Sequence, residues 1–155
     1  MEYIKNIIEY YKQIRNFRML HQTYKGKYAF VGIGSHSMNN LYPVLDYLHV
    51  PLKYICCKST SKLSLIEAAF PHIHATTSLD KILEDAEIKG VFVSASPNTH
   101  FSIASKVIEY NKALFIEKPP CQNTEELMRL VELKNKKMYW QLWIYKNVVH
   151  QPFNH

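Results

Sequence analysis

From Tyr28 onward, short apolar runs alternate with segments in which apolar residues recur every three or four positions. Runs of that length suit strands and the periodic segments suit helices, so the alternation predicts parallel strands joined by crossover helices. The strands fall at residues 28–33, 52–57, 74–76, 91–94, 114–117 and 138–144. After the first of them, Met38, Leu41, Leu45 and Leu48 keep helical spacing, and Pro43 belongs in the first turns of that helix, where a missing N–H does least harm. Ser61 stands where it can cap a helix over residues 62–70, and Ser78 where it can cap one over 79–85. A helix over 100–110 follows Pro97-Asn98. Another is capped by Thr124, with Glu125 and Glu126 in its first turn.

A different pattern precedes this alternation. In residues 2–20, Ile4, Ile7, Ile8, Tyr11 and Ile14 form one helical stripe, with Lys5, Lys12, Arg15 and Arg18 mostly off it. Residues 1–27 hold six Lys or Arg against two Glu, while residues 28–155 hold thirteen against eleven, so the net charge of +6 is concentrated at the N-terminus. A basic amphipathic helix of this kind is expected to dock on its own domain or on a partner. No nucleic-acid-binding motif accompanies it, and neither nucleic acid nor membrane is the expected partner. The chain therefore divides into a helical extension (1–26), an α/β domain (27–144) and a short tail (145–155).

Composition narrows the class. With 155 residues, 47% of them hydrophobic and 21% charged, the chain is about one globular domain's worth, and no internal repeat or Ser/Gly-rich linker splits it. No apolar run approaches the roughly 20 residues that span a bilayer, and the start of the chain lacks the apolar block of a signal peptide, so a cytoplasmic location is expected. Cys56, Cys57 and Cys121 are odd in number and two are adjacent. That spacing fits neither a disulfide framework nor a zinc site, so reduced thiols and no bound metal are expected.

In a doubly wound sheet the strand order reverses between the first and fourth strands, leaving a crevice at their carboxyl ends where ligands bind. Three loops are thereby singled out: Gly32-Ile33-Gly34-Ser35-His36-Ser37 leading into Met38, Ala95-Ser96-Pro97-Asn98-Thr99-His100, and Glu117-Lys118-Pro119. The first has what a pyrophosphate requires. Gly32 permits a tight turn, Gly34 lets backbone approach phosphate oxygens, and the next helix presents its N-terminal N–H groups. Ser37 replaces the third glycine of G-x-G-x-x-G; it is small enough for close helix–strand packing and can donate a hydrogen bond.

Ala29-Phe30-Val31-Gly32-Ile33-Gly34 resembles the opening strand and glycine loop of the glucose-fructose oxidoreductase and inositol dehydrogenase (Gfo/Idh/MocA) family. The segment Val91–His100 resembles its Pro-Asn-x-x-His motif with one residue fewer before the His, and Leu114-Phe115-Ile116-Glu117-Lys118-Pro119 is similar to its Glu-Lys-Pro motif. The resemblance, covering residues 28–144, implies a three-layer, doubly wound α/β/α Rossmann domain that binds NAD or NADP. It implies hydride transfer between a nicotinamide ring and a hydroxyl-bearing carbon, commonly of a sugar, an inositol or a nucleotide-sugar. Lys118 would then stand at the reaction centre, partly desolvated, where an ammonium can hydrogen-bond the reacting oxygen and stabilise charge developing on it. Glu117 would be an orienting acceptor, and Asn98 and His100 would position the cofactor. Ser35, His36, Ser37, Met38, Ala95, Ser96 and Pro97 would complete the cofactor contacts.

Cofactor choice hangs on the end of the second strand, where an Asp or Glu would accept from the adenosine ribose of NAD. Here stand Cys57, Lys58 and Ser59. A Lys-Ser pair without a carboxylate can hold a phosphate, which tilts the expectation toward NADP.

The family continues through a substrate domain that has no counterpart in these residues, and His150 and His155 match no motif that would replace its histidine. Catalysis by these 155 residues alone is not expected. The open classes are a dehydrogenase component, working as a homo-oligomer or with a partner chain that supplies the substrate domain, and a non-catalytic module that binds the dinucleotide in a regulatory role. A weaker alternative is an interaction protein with a vestigial site.

Overall fold

A computed structural model describes residues 24–136 and 142–145. The expected N-terminal helix, the start of the last strand and the tail beyond residue 145 lie outside the described residues. Six strands, β1 (Lys27–Val31), β2 (Leu52–Cys56), β3 (His74–Thr76), β4 (Ile88–Val93), β5 (Ala113–Glu117) and β6 (Leu142–Tyr145), form one sheet in the order β3-β2-β1-β4-β5-β6. Every neighbouring pair is parallel. The strand order reverses between β1 and β4, as the alternating pattern requires of a doubly wound sheet.

Period-two alternation supplies each face with its own core. β1 sends Ala29 and Val31 to one side, and β2 sends Tyr54 and Cys56 there, to pack with Val91, Val93, Leu114 and Ile116 against the helices that follow β3, β4 and β5. On the other side Phe30, Ile55 and Cys57 pack with Tyr42, Leu45 and Ile66. β4 begins at Ile88, earlier than the apolar run suggests: Lys89 and Gly90 interrupt the run, but pairing with β1 continues across them with a register shift, from Lys27 opposite Ile88 to Tyr28 opposite Gly90.

Helical backbone runs from Ser35 to Tyr47, π-wound over Ser37–Leu41 and α-helical over Tyr42–Tyr47 (α1), with Pro43 in the first turn of α1. A π turn holds more residues than an α turn, which rotates the apolar stripe. Tyr42 and Leu45 are consequently buried, whereas Met38 is 39% exposed. The remaining helices are α2 (Leu63–Ala69), α3 (Leu79–Glu84), α4 (Pro97–Glu109) and α5 (Thr124–Asn135).

Two of the expected caps are corrected. Ser61 lies inside a 3₁₀ turn, Thr60–Lys62, that precedes α2, and its hydroxyl pairs with that of Ser59 instead of capping. Asn123, not Thr124, caps α5 by accepting from the Glu126 N–H at 2.8 Å, and the Glu126 carboxylate reaches back to the Gln122 N–H. Ser78 caps α3 as its position suggests, accepting from the Lys81 N–H. α4 starts at Pro97 rather than His100, since a proline's fixed φ suits a first helical position.

At the amino ends of the strands, Lys53 on β2 pairs with Asp85 and Glu87, Lys27 on β1 with Glu87, and the Tyr54 hydroxyl donates to Asp85. The Lys53 ammonium, with a backbone N–H behind it, holds the Asp85 carboxyl down to about 2. This ionic cluster ties β1, β2 and the approach to β4 at the edge of the sheet opposite the loops singled out above.

Candidate functional site

A cavity of about 700 Å³ opens at the carboxyl ends of β1, β2, β4 and β5. All three expected loops reach it. Of the residues named from sequence as cofactor contacts or catalytic, every one except Met38, Pro97 and Asn98 lines the cavity. Met38 is turned away by the π turn, and Pro97 and Asn98 are spent opening α4 on its exposed side.

The glycine loop is held by two hydrogen bonds at Gly32. The Gly32 N–H donates to Cys56 O at 2.9 Å, the Tyr42 hydroxyl donates to Gly32 O, and Gly32 adopts φ +114°, which a side chain would rarely tolerate. Gly34 differs, because a Cβ there would meet nothing within 4 Å. Helical hydrogen bonding begins at once, from Met38 N to Gly34 O, so the first helical N–H groups, those of Ser35, His36 and Ser37, belong to residues that line the cavity. Ser37 is 1% exposed and its hydroxyl lies 3.0 Å from Ser94 Oγ and 3.3 Å from Ser94 O, joining the glycine loop to the loop after β4. Serine in the third-glycine position is thus packed as closely as expected.

After β4 come Ala95 and Ser96, both at the cavity, then α4. His100 lines the cavity too but is 1% exposed: its Nδ1 stands 2.7 Å from Pro119 O and its Nε2 3.0 Å from Ala95 O.

Glu117 ends β5, buried, with Oε1 lacking any hydrogen-bond partner. His36 Nε2 stands 3.6 Å from that oxygen, across the cavity mouth, and Asn40 holds His36 at its other ring nitrogen. Lys118 is exposed and makes no hydrogen bond or ion pair with the described residues, so the desolvation expected for it is not present here. The Lys118–Pro119 peptide is cis.

At the β2 end, Cys57 is buried and its thiol contacts Ser59 O, and Lys58 and Ser59 line the cavity. Burial pushes the neighbouring Cys56 thiol up to about 11, and no thiolate is available there at neutral pH. Sequence reasoning missed Lys62, Thr77, Leu79 and Ile103, which also line the cavity. Lys62 is brought there by the 3₁₀ turn and Thr77 by following β3 at its carboxyl end; the second could have been inferred from the strand-end rule, the first could not.

A six-stranded parallel sheet in this order, with a glycine turn after β1 and a crevice at the reversal point, defines a dinucleotide-binding Rossmann fold. The family profile described as "Oxidoreductase family, NAD-binding Rossmann fold" matches residues 26–142, and the chain belongs to that family, Gfo/Idh/MocA. An uncharacterised oxidoreductase of Schizosaccharomyces pombe is 33% identical over 124 residues, 78% of this chain and 33% of that protein. The crystal structure of an oxidoreductase from Bacillus cereus superposes with TM-score 0.70 at 27% identity, over 79% of this chain and 35% of that one. The WlbA dehydrogenase of Bordetella pertussis, solved in complex with NADH and UDP-GlcNAcA, shares the fold, with TM-score 0.69 at 21% identity over 79% of this chain and 37% of that one. This chain therefore spans about a third of the length of the relatives it matches. Among the described residues no helix is long and apolar enough to cross a membrane, and no three His, Cys, Asp or Glu group as metal ligands would.

Proposed function

We propose that the crevice binds a nicotinamide dinucleotide for an oxidoreductase acting on a hydroxyl-bearing carbon of a sugar-like substrate. The observation that carries the reading is the convergence of three loops, distant in sequence, on one cavity of about 700 Å³. Two features of that cavity fit the group. The open space beside Gly34 accepts phosphate oxygens at the helix start, and the unpartnered Glu117 Oε1 is a buried acceptor waiting for a donor such as a ribose hydroxyl. The pyrophosphate would lie over Gly32–Ser37, the adenosine toward Lys58 and Ser59, and the nicotinamide toward Glu117 and Lys118.

The nicotinamide, when bound, gives or takes a hydride. The part of this chain is to orient and to polarise: Glu117 fixes the ribose, and the Lys118 ammonium hydrogen-bonds the reacting oxygen and stabilises its developing charge. Exposure of Lys118 supports the view that the substrate side of the site is completed by residues other than these, whether from a continuation of the chain or from a partner. The same exposure is what a non-catalytic dinucleotide-binding module would display, and the two readings part on hydride exchange.

NADP is favoured over NAD, because the β2 end offers Lys58, Ser59 and Lys62 to a 2′-phosphate and no carboxylate to a 2′-hydroxyl. Titration with NAD, NADP and their reduced forms, followed by the melting temperature and by reduced-nicotinamide fluorescence, tests the proposal. A ligand that binds only the folded state raises the melting temperature. No response to any of the four removes it.

A further inference from the structure

His100 was expected to touch the cofactor, yet its ring is 1% exposed and both nitrogens face backbone carbonyl oxygens, 2.7 Å to Pro119 and 3.0 Å to Ala95. Carbonyl oxygens only accept, so a ring nitrogen bonds the oxygen it faces only when it carries the proton; the shorter contact, to Pro119, assigns that proton to Nδ1. Ala95 lies in the loop after β4, before the start of α4; Pro119 lies in the turn after β5. The ring thus spans two of the three loops that form the crevice.

What lies between those anchors gives the contact its meaning. Glu117 is the last residue of β5, and Pro119 begins two positions later. Lys118 has no hydrogen bond or ion pair of its own with described residues, so its backbone, held by the sheet on one side and by His100 on the other, decides where the ammonium starts from. A side chain of that length is aimed by its Cα, and catalytic contacts tolerate little displacement.

We propose that His100 is a positioning residue: its buried ring latches the turn after β5 to the loop after β4, and so sets the station of Glu117 and Lys118 along the crevice. The inference rests on the reading that these two residues serve the nicotinamide end. It makes His100 act through Pro119, not through contact with the dinucleotide.

The test compares the wild-type chain with His100→Ala, His100→Asn and His100→Gln, measuring affinity for NADPH and for adenosine 2′,5′-bisphosphate, which carries the adenosine half alone. A general loss of structure weakens both ligands, whereas misplacement of the turn after β5 weakens only the first. His100→Ala is expected to lower NADPH affinity about tenfold and to leave the bisphosphate within about twofold. The Asn amide N–H can stand where Nδ1–H stood, so His100→Asn restores most of the NADPH affinity; the Gln amide reaches the Nε2 position and does not. Wild-type NADPH affinity in His100→Ala, or a His100→Asn variant no better than His100→Gln, overturns the latch, and the Asn–Gln comparison decides the matter if the alanine variant does not fold. If the wild type binds no dinucleotide, the functional reading fails separately. The latch is then judged on nitrogen-15 spectra of the wild type, where an exchange-protected Nδ1–H proton of His100 supports it and its absence refutes it.

Discussion

The Ser94 carbonyl stands so close to Gly32 that a Cβ built on the glycine would overlap its oxygen and carbon. Backbone just after β4 and backbone of the glycine loop touch directly, and the φ of +114° at Gly32 is incompatible with an ordinary side chain as well. Gly32→Ala should therefore destabilise the fold by about 3 kcal/mol or more, combining backbone strain with a clash that only main-chain movement relieves. Thermal unfolding checks this, with a fall in melting temperature of about 10 °C expected. A melting temperature within error of wild type would contradict the contact.

Gly34 is the counterpart. A side chain there has room and no conformational penalty, but it would occupy the space offered to the pyrophosphate. Gly34→Val should leave the melting temperature of the free protein nearly unchanged while reducing dinucleotide affinity by about a hundredfold or more. Unaltered affinity would move the phosphates elsewhere.

Lys58 and Lys62 share the β2 end of the cavity. Replacing both by Ala should weaken NADPH by about tenfold or more and leave NADH within about twofold, because only the former carries the extra phosphate. Equal losses for the two cofactors would remove the NADP preference.

Asp85 makes stability depend on acidity. Its carboxyl is held at about 2 in the folded chain against about 3.9 for an unfolded Asp, so it loses its proton more readily when folded. The stabilisation it gives is complete above about pH 4 and is lost as the pH falls toward 2. In Asp85→Asn the melting temperature at pH 7 should be lower than in wild type, since Lys53 and Tyr54 lose a charged acceptor, and its decline between pH 4 and 2 shallower. Parallel declines in the two proteins would count against the ionic cluster.

The sheet was legible because strand and helix differ in apolar period, and period survives in a single sequence. The apolar run at 28–33 marked a strand, and the two-residue period of a strand is what sends Phe30 and Val31 to opposite cores in the structure. The three loops were legible for the related reason that a parallel sheet fixes where its carboxyl ends open. Details that depend on winding were not. The π turn at Ser37–Leu41 moved Met38 away from the cavity, and nothing in the residue types distinguishes a π turn from an α turn there. Ser61 and Thr124 have capping side chains, but Ser59 and Asn123 are the residues standing at the caps; residue type alone cannot choose between neighbours one or two apart. His100 was assigned to the crevice, which it lines, but its hydrogen bonds were not legible. Its partner Pro119 is 19 residues away, and only the meeting of two loops in space reveals that both ring nitrogens are engaged.

The charged girdle of Lys27, Lys53, Asp85 and Glu87 sits one five-residue strand, about 16 Å, from the ligand crevice. The ionic contribution to robustness is thus drawn from the pole of the sheet opposite the one that recognises a ligand. Substitutions that harden or soften the protein against heat and acid can accumulate at one pole while the affinity of the other drifts independently, so that variants of this domain can be retuned for a new environment without surrendering their cofactor.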